Sequence, residues 1–318
     1  MKQTTGPVLC GLLVHWFDEA GCQELLASWP ADPRFDLIIV DNGSNLEMPS
    51  NRARLLHPGR NLGFGGAVNF GLEHTQAPII LILNTDIKIR PEALDRLLDG
   101  FDRHPEAAGM APRLLDASGE SQHRWQLRSL PKVWTLLGQA LMLPVGQGPS
   151  REPEQGSAIE QPAAAALALR RQVLEKIGGF DEGFYPAWFE DVDLATRLSH
   201  ASHTIRYWPD AEFEHQLGGS LSMLGLRRFL WIYYCNLCRY LEKHHGHFLA
   251  FTARCLLVLS SLTRLLLLPL RKPDRARDRS EAANALLHLA LGALTAWRFG
   301  GYDEDPRVVG RTAGTKEA

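Results

Sequence analysis

A chain of 318 residues, 45% hydrophobic and 22% charged, holds enough apolar material for a true core and fits one or two domains. Its net charge of −2 conceals an acidic body, −9 over residues 1–225, and a basic Leu-rich end, +7 over 226–318. The acidic body has no basic-aromatic stripe, which excludes a nucleic-acid partner, whereas the basic apolar end suits an anionic membrane surface. Five cysteines (Cys10, Cys22, Cys235, Cys238, Cys255) form no disulfide framework. The lone C-x-x-C at Cys235–Cys238 has no second pair or His at ligand spacing, which argues for buried thiols in a reducing compartment. Met1–Pro7 lacks the layout of a signal peptide.

In chain order, Val8–Trp16 reads as a buried strand and Ala20–Trp29 as a helix. Phe35–Val40 is a second strand, stopped by the turn signal Asp41-Asn42-Gly43-Ser44. A Gly-rich turn, Asn61–Gly66, opens a helix over Ala67–His74. Pro78–Leu83 is a third strand, followed by a helix from Pro91 to Arg103 with Leu94, Leu97, Leu98 and Phe101 at helical spacing. Strands alternating with helices predict a parallel α/β sheet whose ligands sit beyond the carboxyl ends of the strands. Residues 144–162 read as a mobile loop, with a strand resuming over Ala163–Leu169. From Leu226 the chain carries long apolar segments with isolated arginines. Phe248–Leu270 is interrupted by Arg254 and Arg264, and Ala282–Trp297 is uncharged. Both fall short of the usual uncharged spanning length, so the reading is membrane-docked helices with a basic patch at Arg271–Arg279, or else a helical hairpin packed on the body.

Several residues at strand ends can carry chemistry. Asp86 follows a buried strand in Asn84-Thr85-Asp86 and can supply one hard ligand to Mg²⁺ or Mn²⁺, or simply form a turn. Asp41 can accept from a pyrimidine imide or close an Asx-turn. Asn61-Leu62-Gly63-Phe64-Gly65-Gly66 fails the dinucleotide template because Val68 stands where Gly is needed, yet its backbone can still approach a phosphate. Asp191, flanked by Glu190 and preceded by Trp188 and Phe189, is a candidate base in an aromatic pocket, or part of an acidic first helical turn. His215 gains a metal role only if the fold returns it to Asp86.

Taken together, VDNGS (40–44), NLGFGGAVNFGL (61–72), LNTD (83–86), GGFDEGF (178–184), FEDVDL (189–194) and His215 followed by GGS (218–220) resemble the family 2 glycosyltransferases, in particular their rhamnosyltransferase-like branch. The resemblance covers residues 8–220. It implies an α/β fold of the GT-A nucleotide-diphospho-sugar transferase type, a Rossmann-like mixed sheet flanked by helices. A catalytic domain would span 1–225, and a basic helical, membrane-associated tail 226–318. It implies inverting transfer of a sugar, such as L-rhamnose, from a dTDP- or UDP-sugar to a glycan or lipid-linked acceptor hydroxyl at the cytoplasmic face of the membrane.

By the same resemblance, Asp41, Asn61, Gly63 and Asp86 bind the donor, and Asp86 and His215 hold a divalent metal, Mg²⁺ or Mn²⁺. Asp191 is the general base, and Trp188 and Glu190 lie on the acceptor side. The chain departs from the pattern at Asn84, where the family's D-x-D begins with Asp, at Val14-His15-Trp16-Phe17 after the first strand, and at Ala163–Ala166. A catalytically silent sugar-nucleotide-binding subunit is the alternative. A nucleotidyltransferase is disfavoured because Phe17-Asp18-Glu19 stands where a basic Gly-rich loop belongs.

Overall fold

The computed structural model describes residues 6–47, 52–144, 148–216, 224–270 and 276–297. The first half comprises β1 (Leu9–His15), α1 (Glu19–Ser28), β2 (Phe35–Asp41), β3 (Arg54–Leu56), α2 (Gly63–Glu73), β4 (Ile79–Leu83), β5 (Ile87–Ile89), α3 (Ala93–Arg103), β6 (Gly109–Leu115), α4 (His123–Gln126), β7 (Leu127–Arg128) and α5 (Val133–Ala140). The second comprises β8 (Ala158–Ile159), β9 (Gln161–Pro162), β10 (Ala166–Arg170), α6 (Arg171–Lys176), α7 (Glu190–His200), β11 (Ile205–His215), α8 (Leu226–His245), α9 (His247–Leu267) and α10 (Arg279–Leu294). The GGS segment at 218–220 and the first residues of the basic patch, 271–275, lie outside the described residues.

The main sheet runs β3-β2-β1-β4-β10-β6-β11-β5, with β8 beside β11. It is mixed rather than wholly parallel. The β1–β2, β1–β4, β2–β3 and β6–β11 pairs are parallel, whereas β10 is antiparallel to both neighbours and β5 is antiparallel to β11. The chain leaves β1 toward β2 on one side and returns to β4 on the other, which opens a crevice at their carboxyl ends. β1 and β4 are buried at every position because both sheet faces are covered.

Three local readings change. The helix expected from Pro91 starts at Ala93, because Glu92 takes a left-handed φ of 62°. α2 begins at Gly63, so the glycines lie mostly inside a helix. A Cβ on Gly65 would come within 3.0 Å of the Phe180 Cβ, and one on Gly71 within 3.1 Å of the Leu12 side chain. Those glycines let the helix sit close to the sheet and to the Phe180 loop. The segment expected to be mobile is tied down. Glu152 accepts from Arg113 at 2.8 Å, Ser121 at 3.0 Å and the Tyr207 hydroxyl. The Gly148 N–H reaches Arg124 O at 2.7 Å, and β9 pairs with β7.

The helices after residue 225 share a core with the rest of the chain. Leu226, Leu230, Tyr234, Leu237 and Leu241 of α8 pack with Phe184, Phe189 and Val192, and with α5, α9 and α10. Polar contacts fix the same docking. Asp193, fully buried on α7, accepts from Arg197 at 2.8 Å, Lys243 at 2.6 Å and His244 at 2.8 Å. Asn236 donates to the carbonyls of Ala187 at 2.8 Å and Trp188 at 3.2 Å. α9 is long and apolar enough to cross a membrane by length and composition, and its outward face exposes Phe248, Phe251, Leu259 and Leu266. Arg264 points back toward α5 and donates to Met142 O at 2.9 Å.

Removing one member of a buried charge cluster strands the others. Asp193→Ala is expected to lower the unfolding free energy by about 3–5 kcal/mol, read by urea denaturation.

Candidate active site

A cavity of about 650 Å³ opens at the crevice. Its lining takes in Val14 and Trp16 from the end of β1, Asn42 after β2, Asn61 and Phe64, and Asn84 and Thr85 after β4. Arg128 and the segment after it, Gln161, Ala163–Ala165, the 186–192 segment, and Phe229 and Tyr233 of α8 complete it. The ligand space therefore lies where an α/β sheet of this order places it.

Asp86 and His215, 129 residues apart, are brought together by register. β5 and β11 pair with His215 opposite Ile87, and the Gln216 N–H donates to Asp86 O at 2.9 Å. His215 Nε2 then stands 3.5 Å from Asp86 Oδ2. Gln122 fixes the ring: its amide donates to His215 O at 2.9 Å, and its Oε1 accepts from His215 Nδ1 at 2.7 Å. With the proton on Nδ1, the Nε2 lone pair faces Asp86. Asp86 Oδ1 is buried and has no partner. A buried anionic oxygen without a donor, beside an imidazole lone pair, fits a divalent cation. Among the described residues no group of three or more His, Cys, Asp or Glu is placed to hold a metal. Mg²⁺ and Mn²⁺ can be held by one or two protein ligands, with phosphate and water filling the rest of the shell.

Asp41 is buried, and both of its oxygens already have partners. Oδ1 accepts from His15 Nδ1 at 3.2 Å, the Ser44 N–H at 3.2 Å and the Ser44 hydroxyl, and Oδ2 accepts from the Leu46 N–H at 3.0 Å and His57 Nδ1 at 3.2 Å. Burial alone would raise its pKa. The donors from His15, Ser44 and Leu46 prevail and hold it well below the usual carboxylate range. In this state Asp41 braces the turn after β2, and the residue beside it, Asn42, reaches the cavity. Asn42 accepts from the Leu62 N–H at 2.7 Å and donates to Gly63 O at 3.2 Å, while Asn61 Oδ1 accepts from the Gly63 N–H at 2.8 Å. Gly63 has φ +73°, and a Cβ there would come within 2.9 Å of Tyr185 and 3.0 Å of Pro186 O. The Phe64 N–H donates to that same oxygen at 2.7 Å, so the two sides of the cavity meet at this glycine.

Asp191 lines the cavity. Gln161 Nε2 donates to its Oδ2 at 3.2 Å, and Arg128 stands 3.5 Å from the same oxygen. Glu190, next to it, is buried. Desolvation, and then the Asp191 charge, push its carboxyl well above the ordinary range, so it is held neutral. Trp188 and Phe189 precede them with φ of 69° and 71°. Asn42 enters the sequence analysis only as part of the turn and the VDNGS motif, and Gln122, Arg128 and Gln161 not at all. The last three are neutral amides or a lone arginine without a motif, and only tertiary contact gives them meaning.

A parallel β3-β2-β1-β4 half, antiparallel β10 and β5, and a cavity over the strand ends make this an α/β fold of the GT-A glycosyltransferase type. Mannosyltransferase PcManGT of Pyrobaculum calidifontis, solved with GDP-Man and Mn²⁺, superposes with a TM-score of 0.52 at 12% identity over 93% of this chain and 88% of its own. GalNAc-T7, solved with UDP, GalNAc and Mn²⁺, does so with a TM-score of 0.55 at 10% identity over 92% and 56%. Residues 22–178, just under half of the chain, match the family described as Glycosyl transferase family 2. N-acetylglucosaminyl-diphospho-decaprenol L-rhamnosyltransferase of Mycobacterium tuberculosis is 29% identical over 56% of this chain and 66% of its own length, which supports the rhamnosyltransferase-like assignment. Pre-mycofactocin glycosyltransferase of the same species is 28% identical over 56% of this chain. O-antigen biosynthesis protein RfbC of Myxococcus xanthus is 27% identical over 52%. The matches span 37% and 14% of the lengths of these last two relatives.

The neutral state of Glu190 has a pH signature. The unfolded chain releases this proton near the ordinary value of 4.5, whereas the folded chain keeps it to higher pH. The residue therefore costs stability progressively as pH rises above that value. Glu190→Gln is expected to raise Tm by about 2–4 °C at pH 7, with the gain vanishing near pH 4 in differential scanning calorimetry.

Proposed function

We propose that the chain transfers a sugar from a nucleoside-diphosphate sugar to an acceptor hydroxyl, with inversion at the anomeric carbon. The observation that carries this reading is one cavity over the strand ends that takes in both the segment leading to Asp86 and the carboxylate of Asp191. Asn84 and Thr85, which lead into the Asp86–His215 pair, line it, and so does Asp191. Trp125 also lines the cavity, and its ring lies 4.9 Å from that of His215. A displacement at carbon needs the leaving group and the attacking oxygen on opposite faces of the sugar, each with its own chemical support.

Asp86 and His215 would hold a divalent ion, which when bound neutralises charge on the diphosphate leaving group. The cavity residues around Asn42, Asn61 and Gly63 shape the nucleotide end. Asp41 reaches a pyrimidine imide only if one of its oxygens exchanges a protein donor for the base. Asp191, oriented by Gln161 and Arg128, takes the proton from the acceptor hydroxyl as the new bond forms. Holding donor and acceptor in one cavity removes much of the entropic barrier. UDP- and dTDP-sugars are the donor classes that suit a pyrimidine contact at Asp41. L-rhamnose is the sugar suggested by the relative named a rhamnosyltransferase, and that name and RfbC's point to a lipid-linked or glycan acceptor. The catalytic domain would occupy 1–225. The exposed apolar face of α9 supports docking of 226–318 at the cytoplasmic surface of the membrane.

Calorimetric titration with UDP- and dTDP-sugars, each with Mn²⁺, Mg²⁺ or chelator, tests this reading. Metal-dependent binding of one donor is expected, and binding of none would refute it in favour of a silent subunit. Asp86→Ala is expected to weaken donor binding in metal about tenfold or more and to leave the chelator value unchanged. Asp191→Asn is expected to retain donor affinity and lose transfer by about a hundredfold or more. Near-normal turnover in that variant would remove Asp191 from the base role.

A further inference from the structure

Among the described residues five hydrogen bonds reach the Asp41 carboxylate, and they differ in how readily each can be released. Three come from the turn that follows β2: the Ser44 N–H and hydroxyl on Oδ1, and the Leu46 N–H on Oδ2. The path of the turn fixes them. The fourth comes from His15, whose side chain is 0% exposed. Its ring is held at both nitrogens, since Nδ1 lies 3.2 Å from Asp41 Oδ1 and Nε2 accepts from the Asp18 N–H at 3.2 Å. His15 also stands opposite Asp41 in the β1–β2 register, so the sheet itself keeps the two together. The fifth comes from His57, just past the edge strand β3, with Nδ1 3.2 Å from Oδ2. Its side chain is 50% exposed, against 2% for that of Asp41.

An ionised carboxylate oxygen offers about two acceptor positions. On Oδ2 both are taken, one by Leu46 and one by His57. An incoming N–H therefore needs a donor to leave. Withdrawing His15, Ser44 or Leu46 would strand a donor inside the protein, which folded chains avoid. Withdrawing His57 strands nothing: its ring swings into water, which takes over the lost bond, and the side chain regains rotamer freedom.

We infer that His57 is a placeholder for the donor base: it caps Asp41 Oδ2 in the free chain and is displaced by the ring N–H of a uracil or thymine. This rests on the glycosyl-transfer reading, in which Asp41 meets a pyrimidine imide, and it identifies the protein donor that makes way. The exchange is one donor for another on an oxygen that stays anionic, so the buried carboxylate is never left bare. It also selects among bases. Uracil and thymine carry an N–H between two carbonyls and can take over the position. Cytosine has a bare nitrogen lone pair at the same place, which a carboxylate repels, so it leaves the His57 cap where it is.

The test is calorimetric titration of the full chain in Mg²⁺ with UDP, dTDP and CDP, comparing the parent with His57→Ala and His57→Asn. Removing the competitor is expected to tighten UDP and dTDP binding about three- to tenfold in His57→Ala, with CDP affinity within about twofold of the parent. His57→Asn keeps a short side-chain donor to Asp41 and is expected to restore parental affinity for all three nucleotides. Weaker or unchanged UDP binding in His57→Ala would overturn the inference while leaving the donor reading intact. Equal tightening for CDP, or the same tightening in His57→Asn, would also overturn it, since either would mark a merely steric effect. Failure of the parent and both variants to bind any of the three would defeat the donor reading itself, and the placeholder with it.

Discussion

The site depends on holding two bulky residues, Trp188 and Phe189, in left-handed backbone, with φ of 69° and 71°. Such conformations cost about 1–3 kcal/mol each and persist only where the surroundings compel them. Here the compulsion comes from α8. Asn236 binds the carbonyls around the strained residues, and the Phe189 ring packs between Tyr233 and Tyr240, at 5.3 and 5.8 Å. Asp193, one turn into α7, clamps Lys243 and His244 of the same helix. The strained turn aims Glu190 and Asp191 at the cavity and starts α7 in the required direction. Without the helix behind it, that turn would relax to an ordinary helical entry.

One type of side chain serves four purposes because four environments differ. Asp41 is flooded with donors and stays ionised as a brace for the turn after β2. Glu190 is desolvated beside a like charge and stays neutral. Asp86 keeps one oxygen bare while its other oxygen faces the His215 imidazole. Asp191 is steadied by an amide and a guanidinium at the cavity surface. Neighbours, not residue type, divide the labour among carboxylates.

Much of this was legible in the chain. Apolar runs such as Leu9–His15 and Ile79–Leu83 declare strands buried on two faces, and polar residues directly after them must lie at the sheet edge. Order and spacing of six such motifs identified the family and the fold. Less legible was anything decided by partners far apart in sequence. The antiparallel β10 and β5 look locally like any short apolar run, because direction within a sheet is a property of the pairing and not of the strand. The 144–162 segment has the composition of a loop, yet Glu152 anchors it to Arg113 and Tyr207.

The sequence by itself determined most of the element types and the location of the cavity at the strand ends, since periodicity and turn chemistry are local. Tertiary structure alone decided that His215 meets Asp86, through the β5–β11 register, and that Gln122 sets its tautomer. It alone also placed Arg128 and Gln161 on Asp191 and enlisted α8 as a wall of the cavity. These are contacts between residues 30 to more than 100 positions apart, and no local pattern encodes which distant neutral amide or aromatic ring will complete a charge's surroundings.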